Sequence, residues 1–244
     1  MKIISWNVAG FRRSNSNNTW DYSEVDIDYF AKQVTDLDPD IIQLQEVEFT
    51  KSRDTLLEFA NAIGFENCEG IPMHPNHITE GQELGYAILS KNPLKVIERI
   101  VQPYPKFELK FSDGKLAIQY NKEFLLWETS GIKLVNSQMQ PLQYWGYSYY
   151  EEPGYSYAKL LQDQLIHINA DIICGDFQVS HLEVPFKELS SRYIDSLPNE
   201  FTRMRANGKH TKSDHILLKN GFKVKDSKIV KTQTDHYLCY CEFE

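Results

Sequence analysis

Five polar groups stand where apolar, strand-like runs of this chain stop. Asn7 follows Ile3-Ile4-Ser5-Trp6, Glu46 follows Ile41-Ile42-Gln43-Leu44-Gln45, and Asp176 follows Ile172-Ile173-Cys174-Gly175. The Asp214-His215 and Asp235-His236 pairs abut the last two apolar runs. A carboxylate or amide at a strand end is held rigidly yet reaches solvent. Hard cations such as Mg²⁺ take oxygen ligands and retain waters, so two or three such groups suffice to hold one. In-line attack on phosphorus needs, in addition, a base for the water and a cation near the developing charge. Asp, Asn, Glu and His supply that inventory. Each group alone has a plain reading, Asn7 as a turn former and Glu46 as a solvated strand end. Five with the same grammar in one chain outweigh it.

The elements that must carry them alternate between strand and helix. Lys2 to Val8 reads as a strand ending in a turn at Gly10, and Ser14 to Asn18 as a polar loop. From Ser23 onward, Val25, Ile27, Phe30, Ala31, Val34 and Leu37 recur at helical spacing, with Ser23 as the N-cap and Pro39 closing the helix. Asp40 to Glu46 reads as a buried strand. A second helix fits Arg53 to Ile63 with Gly64 as its C-terminal cap, and Gly85 to Ser90 is another strand. Phe107 to Gln138 has the pattern of an antiparallel meander, with a hairpin turn at Asp113-Gly114. Tyr157 to Ile168 is a helix, Asp171 to Asp176 a strand, and His215–Leu218 and His236–Phe243 the last two strands. No linker rich in Pro, Gly or Ser divides the chain, which predicts one domain over residues 1–244. Mixed helices and hairpins predict two packed sheets, each covered by helices.

Composition narrows the partners. The formal net charge is −8, which argues against avid, non-specific coating of DNA but excludes nothing more. Cys68, Cys174, Cys239 and Cys241 form no CxxC pair and read as reduced core thiols. The run from Lys2 to Val8 is too short and polar for a signal peptide, and no run of about 18 apolar residues occurs. A cytoplasmic protein without a membrane anchor or an obligate protein partner is the expectation.

The segments ISWNVAGF, DIIQLQEVE, GYAILSKNPL, LVNSQM, IICGDFQVSH, SDHILL and TDHYLCYCEFE resemble the ordered motifs of the DNase I-like endonuclease/exonuclease/phosphatase superfamily. They run from residue 3 to residue 243 in the family's order. The resemblance implies a four-layer α/β sandwich, two mostly antiparallel sheets packed together and flanked by helices, with one active site at their edge. It implies Glu46 as the main Mg²⁺ or Mn²⁺ ligand, with Asn7 and Asp235 beside it. Asp176 resembles the group that orients or deprotonates the attacking water, His236 the histidine at the scissile phosphate, and Asp214 its supporting carboxylate. A neighbouring carboxylate raises a histidine pKa and fixes its tautomer. His215, one residue after Asp214, faces the other way in a strand, and His181 reads as a rim residue. Glu48 shares a strand face with Glu46, where it would support the site from behind, but a solvent-facing role is the expectation. Tyr86 either faces the site or packs.

Two positions depart from the family pattern. Asp176-Phe177-Gln178 stands where the family has Asp-x-Asn, and Gln138 where many members have His. A positioning group displaced by about 1 Å costs on the order of 100-fold in rate. Loss of a proton donor costs about 100- to 10,000-fold. The resemblance therefore predicts an enzyme impaired at Gln138 and Gln178. Natural specialisation, drift towards binding and deliberate inactivation all stay open, and the pairing of the two glutamines favours the last.

Two segments bear on the substrate. Arg203, Arg205, Lys209 and Lys212 bring four positive charges just before Asp214, as a solvated loop or a phosphate-backbone contact. Gln143 to Tyr157 holds six tyrosines and Trp145, of which Tyr144 and Trp145 are the candidates for stacking on bases. The expectation is a nuclease acting on DNA or RNA. A hydrolase of a small phosphodiester and an inactive phosphate-binding protein are the alternatives.

Overall fold

The longest apolar runs of the chain become the centres of two six-stranded sheets. The computed structural model describes residues 1–15, 18–110, 121–205 and 208–244. In chain order, β1 (Lys2–Asn7) leads into a hairpin of β2 (Arg12–Asn15) and β3 (Asn18–Val25), helix α1 (Ile27–Thr35), β4 (Ile41–Phe49), helix α2 (Thr55–Ile63), β5 (Asn67–Pro75) and β6 (Glu83–Ser90). There follow β7 (Leu94–Val101), β8 (Glu123–Thr129), β9 (Ile132–Gln138), a 3-10 turn at Leu142–Trp145, helix α3 (Gly154–Ile168), β10 (Ile172–Asp176), helix α4 (Lys187–Arg192) and β11 (Tyr193–Asp195). A small hairpin of β12 (Arg203–Met204) and β13 (His210–Thr211) precedes β14 (Asp214–Lys219), β15 (Val224–Val230) and β16 (Leu238–Phe243).

One sheet runs β15-β16-β1-β4-β6-β5 and the other β11-β14-β10-β9-β8-β7. Each contains a single parallel pair, β1 with β4 and β9 with β10; the other neighbours are antiparallel. Side chains alternate across each strand. Ile3, Ile41, Ile88 and Cys239 therefore meet Leu125, Trp127, Leu134, Ile172 and Ile216 between the sheets. Ile4, Trp6, Ile42 and Leu44 face outward onto Phe30 and Val34 of α1 and Phe59 of α2. Phe124, Val135 and Ile173 face outward onto Leu161 and Leu165 of α3 and Leu189 of α4. The result is the expected four-layer sandwich, and Cys174, Cys239 and Cys241 are buried, free thiols within it. Among the described residues no helix is long and apolar enough to cross a membrane.

Several boundaries differ from the sequence reading. Helix α1 starts at Ile27 behind Asp26, whose side chain accepts from Tyr29 N–H, and not behind Ser23. Ser23 belongs to β3, where its Oγ accepts from Arg13 N at 2.9 Å, so hairpin pairing overrides the helical spacing. Part of the expected Ser14–Asn18 loop is that hairpin. Helix α2 starts at Thr55 behind Asp54, and α3 begins at Gly154, ahead of Tyr157. The Asp113-Gly114 turn lies outside the described residues.

The carboxyl ends of both parallel pairs deliver the polar strand ends. Asn7 ends β1 opposite Gln45, and Asp176 ends β10 between Gln138 of β9 and Asp214 of β14. At Gly175 the backbone adopts φ +138°, and a Cβ there would lie 1.7 Å from Ser137 O. Only glycine lets β10 pass β9 closely enough to aim Asp176. Gly175→Ala should cost on the order of 3 kcal/mol of stability. Urea unfolding checks this, and an unchanged midpoint would refute the close-approach argument.

Candidate active site

At that edge of the sandwich a cavity of about 220 Å³ is lined by Glu46, Gln138, Gln178, Arg203 and Asp235, by Lys122, His74 and His77, and by Tyr22, Tyr144 and Trp145. Chain direction changes sharply around it. Ala9 (φ 44°), Phe11 (φ 57°), Glu46 (φ 55°) and Gln178 (φ 59°) are all left-handed. For residues with a Cβ this is strain of order 1 kcal/mol each. At Glu46 the left-handed turn is a bulge that shifts the register of β4 against β6 between Gln45 and Val47. The bulge separates the two acids of this strand. Glu46 faces the cavity, whereas Glu48 turns into a buried hub, accepting from Arg12 at 3.2 Å and from Asn76 Nδ2 at 2.8 Å. Glu48 therefore neither faces solvent, which was the expectation, nor shares the face of Glu46, as unbroken alternation would have had it.

Glu46 lines the cavity and is held in the ionised form. Burial alone would raise its pKa, but His77, a hydrogen bond from Asn7, and the nearby His236 and Lys122 outweigh that and bring it down to about 2. His77 Nε2 lies 3.9 Å from Glu46 Oε2. Asn7 is buried, its oxygen accepts from Ala9 N at 3.2 Å, and its amide donates to Glu46. It thus orients the carboxylate from beneath. Asp235 Oδ1 is buried without a hydrogen-bond partner among the described residues, and Oδ2 lies 3.9 Å from Arg203 and from His236 Nε2.

Behind Gln178 and Asp235 sits a compact group of Asp176, Asp214 and His236, whose ligand-type atoms all lie within 4.8 Å of one another. His236 Nδ1 donates to Asp214 Oδ1 at 2.9 Å, and Nε2 faces Asp176 Oδ2 at 3.7 Å. Asp214 Oδ2 also accepts from Thr202 Oγ1 at 2.7 Å and Ser213 Oγ at 3.1 Å. With the Asp214 oxygens occupied in this way, the group is a hydrogen-bonded relay more than a coordination shell. The ionised Glu46 and the orphaned Asp235 oxygen fit a hard cation better. Burial favours neutral imidazole, yet Asp214, with Asp176 and Asp235, pushes His236 up to about 9. Burial also pushes Asp176 up, against the pull of His236, while Asp214 stays below the usual carboxylate range.

Both glutamines are fully engaged. Gln138 Nε2 donates to Glu46 Oε1, and Gln138 Oε1 accepts from Lys122 Nζ at 2.8 Å. Gln178 Nε2 donates to Asp176 Oδ2, and Gln178 Oε1 accepts from Arg203 at 3.1 Å. Arg203 also donates to Tyr144 Oη at 3.0 Å. Each glutamine thus stands between a carboxylate and a cation.

Other expected site residues are placed elsewhere. Lys212 is a correction: its Nζ is buried against Asp195 Oδ2 at 2.7 Å, on the far side of β14 from the cavity. His215 shares that carboxylate through Nδ1 at 2.8 Å and meets Val179 O through Nε2 at 2.9 Å, facing away as alternation requires. A wider cavity of about 500 Å³ opens beside Asp195 and Lys212, with His181 on its rim. Asp195 and Lys212 of that cavity are paired with each other, and none of the strand-end acids lines it. Lys209 is exposed and Arg205 half-buried, and neither lines the site. Tyr86 is buried between the sheets, where its hydroxyl accepts from Gln138 N at 2.9 Å and donates to Gln138 O at 3.3 Å. Of the aromatic run, Tyr144 and Trp145 reach the cavity. Tyr149 and Tyr157 are core residues, and Tyr150 clamps the backbone of Ser180 and His181.

The sequence reading passed over Lys122, His74, His77 and Tyr22. The His74-Pro75-Asn76-His77 spacing and the position of Lys122 just ahead of the apolar run Phe124-Leu125-Leu126-Trp127 were the available signals. His74 is held down to about 4 by burial and by Lys122. Burial likewise brings Lys122 down to about 8, against the pull of Glu46 and Asp176.

A two-sheet α/β sandwich with a carboxylate–histidine cavity at the strand ends defines a class of phosphoester hydrolases. Residues 4–236 match the sequence model of the Endonuclease/Exonuclease/phosphatase family, and the chain belongs to that family. Among solved structures it is similar over 100% of its length to an endonuclease/exonuclease/phosphatase family protein from Leptotrichia buccalis C-1013-b, at 15% identity, covering 99% of that chain with a TM-score of 0.65. The 3'-5' exonuclease NExo from Neisseria meningitidis is similar at 17% identity over 100% of both chains, with a TM-score of 0.65. A mannosyl-6-phosphatase from Bacteroides thetaiotaomicron VPI-5482 is similar at 17% identity over 100% of this chain and 99% of that one, with a TM-score of 0.60. At these identities the likeness is one of fold. No curated protein matches the chain by sequence.

The His236–Asp214 pair makes a pH-dependent contribution to stability. Because the folded-state value of about 9 exceeds the ~6.5 of a free histidine, this stabilisation is complete below pH ~6.5 and is lost as pH rises through 9. Asp214 stays ionised across that window. Asp214→Asn should lower the His236 midpoint below about 7 and erase most of the stability difference between pH ~6.5 and ~9.5. Imidazole NMR titration and urea unfolding in EDTA measure both, and an unmoved midpoint would remove Asp214 as the cause.

Proposed function

We propose that this chain is a divalent-metal-dependent phosphodiesterase that hydrolyses DNA or RNA by in-line attack of water. One observation carries the reading: an ionised Glu46 and Asp235, one of whose oxygens has no hydrogen-bond partner among the described residues, line a cavity backed by the Asp176–His236–Asp214 relay. Glu46 and Asp235 are the residues to hold Mg²⁺ or Mn²⁺, with Asn7 fixing the Glu46 carboxylate. When bound, the cation supplies Lewis acidity at a phosphoryl oxygen. Asp176, its pKa raised by burial, accepts the proton of the attacking water. Protonated His236, locked by Asp214, donates to the phosphoryl oxygen on which charge develops. Tyr144 and Trp145 offer flat surfaces to a base or sugar beside that group.

A second reading has its own support. A cavity of about 220 Å³ is small for a length of polynucleotide and suits one phosphoryl group with its attached sugar. Hydrolysis of a small phosphoester, or of the terminal phosphate of a longer chain, fits that size.

Labelled single- and double-stranded DNA and RNA, terminally phosphorylated oligonucleotides and sugar phosphates, assayed with Mg²⁺ or Mn²⁺, separate these readings. Cleavage of internal or terminal diester bonds, abolished by EDTA and lowered at least about 100-fold in Glu46→Gln, is the expected outcome. Release of inorganic phosphate alone would put the second reading first. Binding without turnover on every substrate would overturn both in favour of a binding protein.

A further inference from the structure

We propose that Lys122 is a catalytic residue, the cation that contacts the phosphoryl group on the Glu46 side of the cavity, and that Gln138 is the residue that positions it. The inference deepens the proposed phosphoester hydrolysis, and its binding arm stands apart from turnover.

The first argument is the environment of the amine. Lys122 is 6% exposed and lines the cavity, and among the described residues its one hydrogen-bond acceptor is Gln138 Oε1, at 2.8 Å. No carboxylate among the described residues lies within 4.0 Å of its Nζ. An ammonium taken out of water is costly unless a counter-charge meets it. An anion in the cavity is the missing partner.

The second argument is the spacer. Gln138 accepts from Lys122 with its oxygen and donates to Glu46 with its nitrogen. A lysine beside an ionised carboxylate would otherwise collapse onto it. The neutral amide keeps the two charges apart, leaving Glu46 open to a metal cation and the Lys122 ammonium open to an anion.

The third is rigidity. Gln102 backbone N–H donates to Lys122 O at 2.8 Å, and Gln102 Nε2 donates to Gln138 O at 3.3 Å, so one residue ties both backbones. The Tyr86 hydroxyl holds Gln138 from the other side. The donor is therefore in place before substrate arrives, the condition under which electrostatic stabilisation of a phosphoryl transition state is most effective. Arg203, reached through Gln178, occupies the matching position on the Asp235 side.

Lys122→Met and Gln138→Leu test this with three readouts: inorganic phosphate affinity by calorimetry in EDTA, Mn²⁺ affinity, and thermal unfolding. Lys122→Met is expected to weaken phosphate at least tenfold, leave Mn²⁺ affinity within about threefold, and unfold at the same or a higher temperature, because an uncompensated buried charge is gone. Gln138→Leu is expected to weaken both ligands, since Lys122 then closes on Glu46. With a cleavable substrate, kcat of Lys122→Met should fall on the order of 100- to 1,000-fold with little change in KM. Unchanged phosphate affinity, or a Lys122→Met protein clearly less stable than the parent, makes Lys122 a structural residue and overturns the proposal. If the parent turns over no phosphoester, the hydrolase reading fails, and phosphate affinity still decides the role of Lys122.

Discussion

Four carboxylates crowd one edge of this sandwich, and their mutual repulsion is the constraint that the rest of the site answers. Asp176, Asp214 and Asp235 are buried and Glu46 is nearly so. Like charges at such distances in a poorly solvated pocket push one another towards protonation. Cations divide the cluster instead. His236 serves Asp214, Asp176 and Asp235, Arg203 lies beside Asp235, and His77 and Lys122 lie on the Glu46 side. The acids accordingly differ in character. Glu46 and Asp214 are held in the ionised form, while Asp176 and Asp235 are pushed towards the protonated one. Divergent environments of this kind are how one pocket assigns distinct acid and base roles to chemically similar groups.

The backbone supplies the positions. Each sheet has its one parallel pair near the centre, and the two pairs send their carboxyl ends to the same edge. Asn7, Gln138 and Asp176 stand at the ends of β1, β9 and β10, while left-handed backbone at a bulge within β4 and just after β10 places Glu46 and Gln178 at the cavity. Trp6 extends the arrangement to the last cluster: its indole N–H donates to His236 O at 3.0 Å, tying that loop to β1. Rigid strand ends with abrupt turns place charges more finely than a mobile loop would.

Much of this was legible in the sequence because central strands and strand-end acids have strong signatures. The runs before Asn7, Glu46 and Asp176 are apolar on both faces, as strands covered on both sides must be. What escaped the reading is equally physical. β5, β7, β11 and β15 are the four sheet edges. β5 carries Gly70, Pro72 and Pro75, tolerable only at an edge. β7 and β15 are largely exposed, and bulges break their alternation, so no period marks them. Glu48 was misread because a bulge reverses the face of every residue beyond it. Lys212 was misread because a run of positive charge does not reveal which of its members is matched by a distant acid such as Asp195. The family resemblance supplied the roles expected of Glu46 and His236; the residue types alone supplied only their candidacy.

The two glutamines show where sequence comparison and geometry part. Against the family pattern, Gln138 and Gln178 are losses of a histidine and of a shorter amide. In the fold each has both ends of its amide bonded, one to an acid and one to a base. A side chain that neither titrates nor carries charge is what is needed to hold opposite charges near one another without letting them pair. Gln178 bridges two residues far apart in sequence, Asp176 and Arg203, and Gln138 bridges Glu46 and Lys122. The positive charge missing at position 138 is therefore present on the neighbouring chain segment, at Lys122 just ahead of β8, whose Nζ donates to Gln138 Oε1. Reading position 138 alone counts a deficit. Reading it with its neighbour in the fold finds the charge relocated, and that relocation is visible only once the two segments are seen side by side.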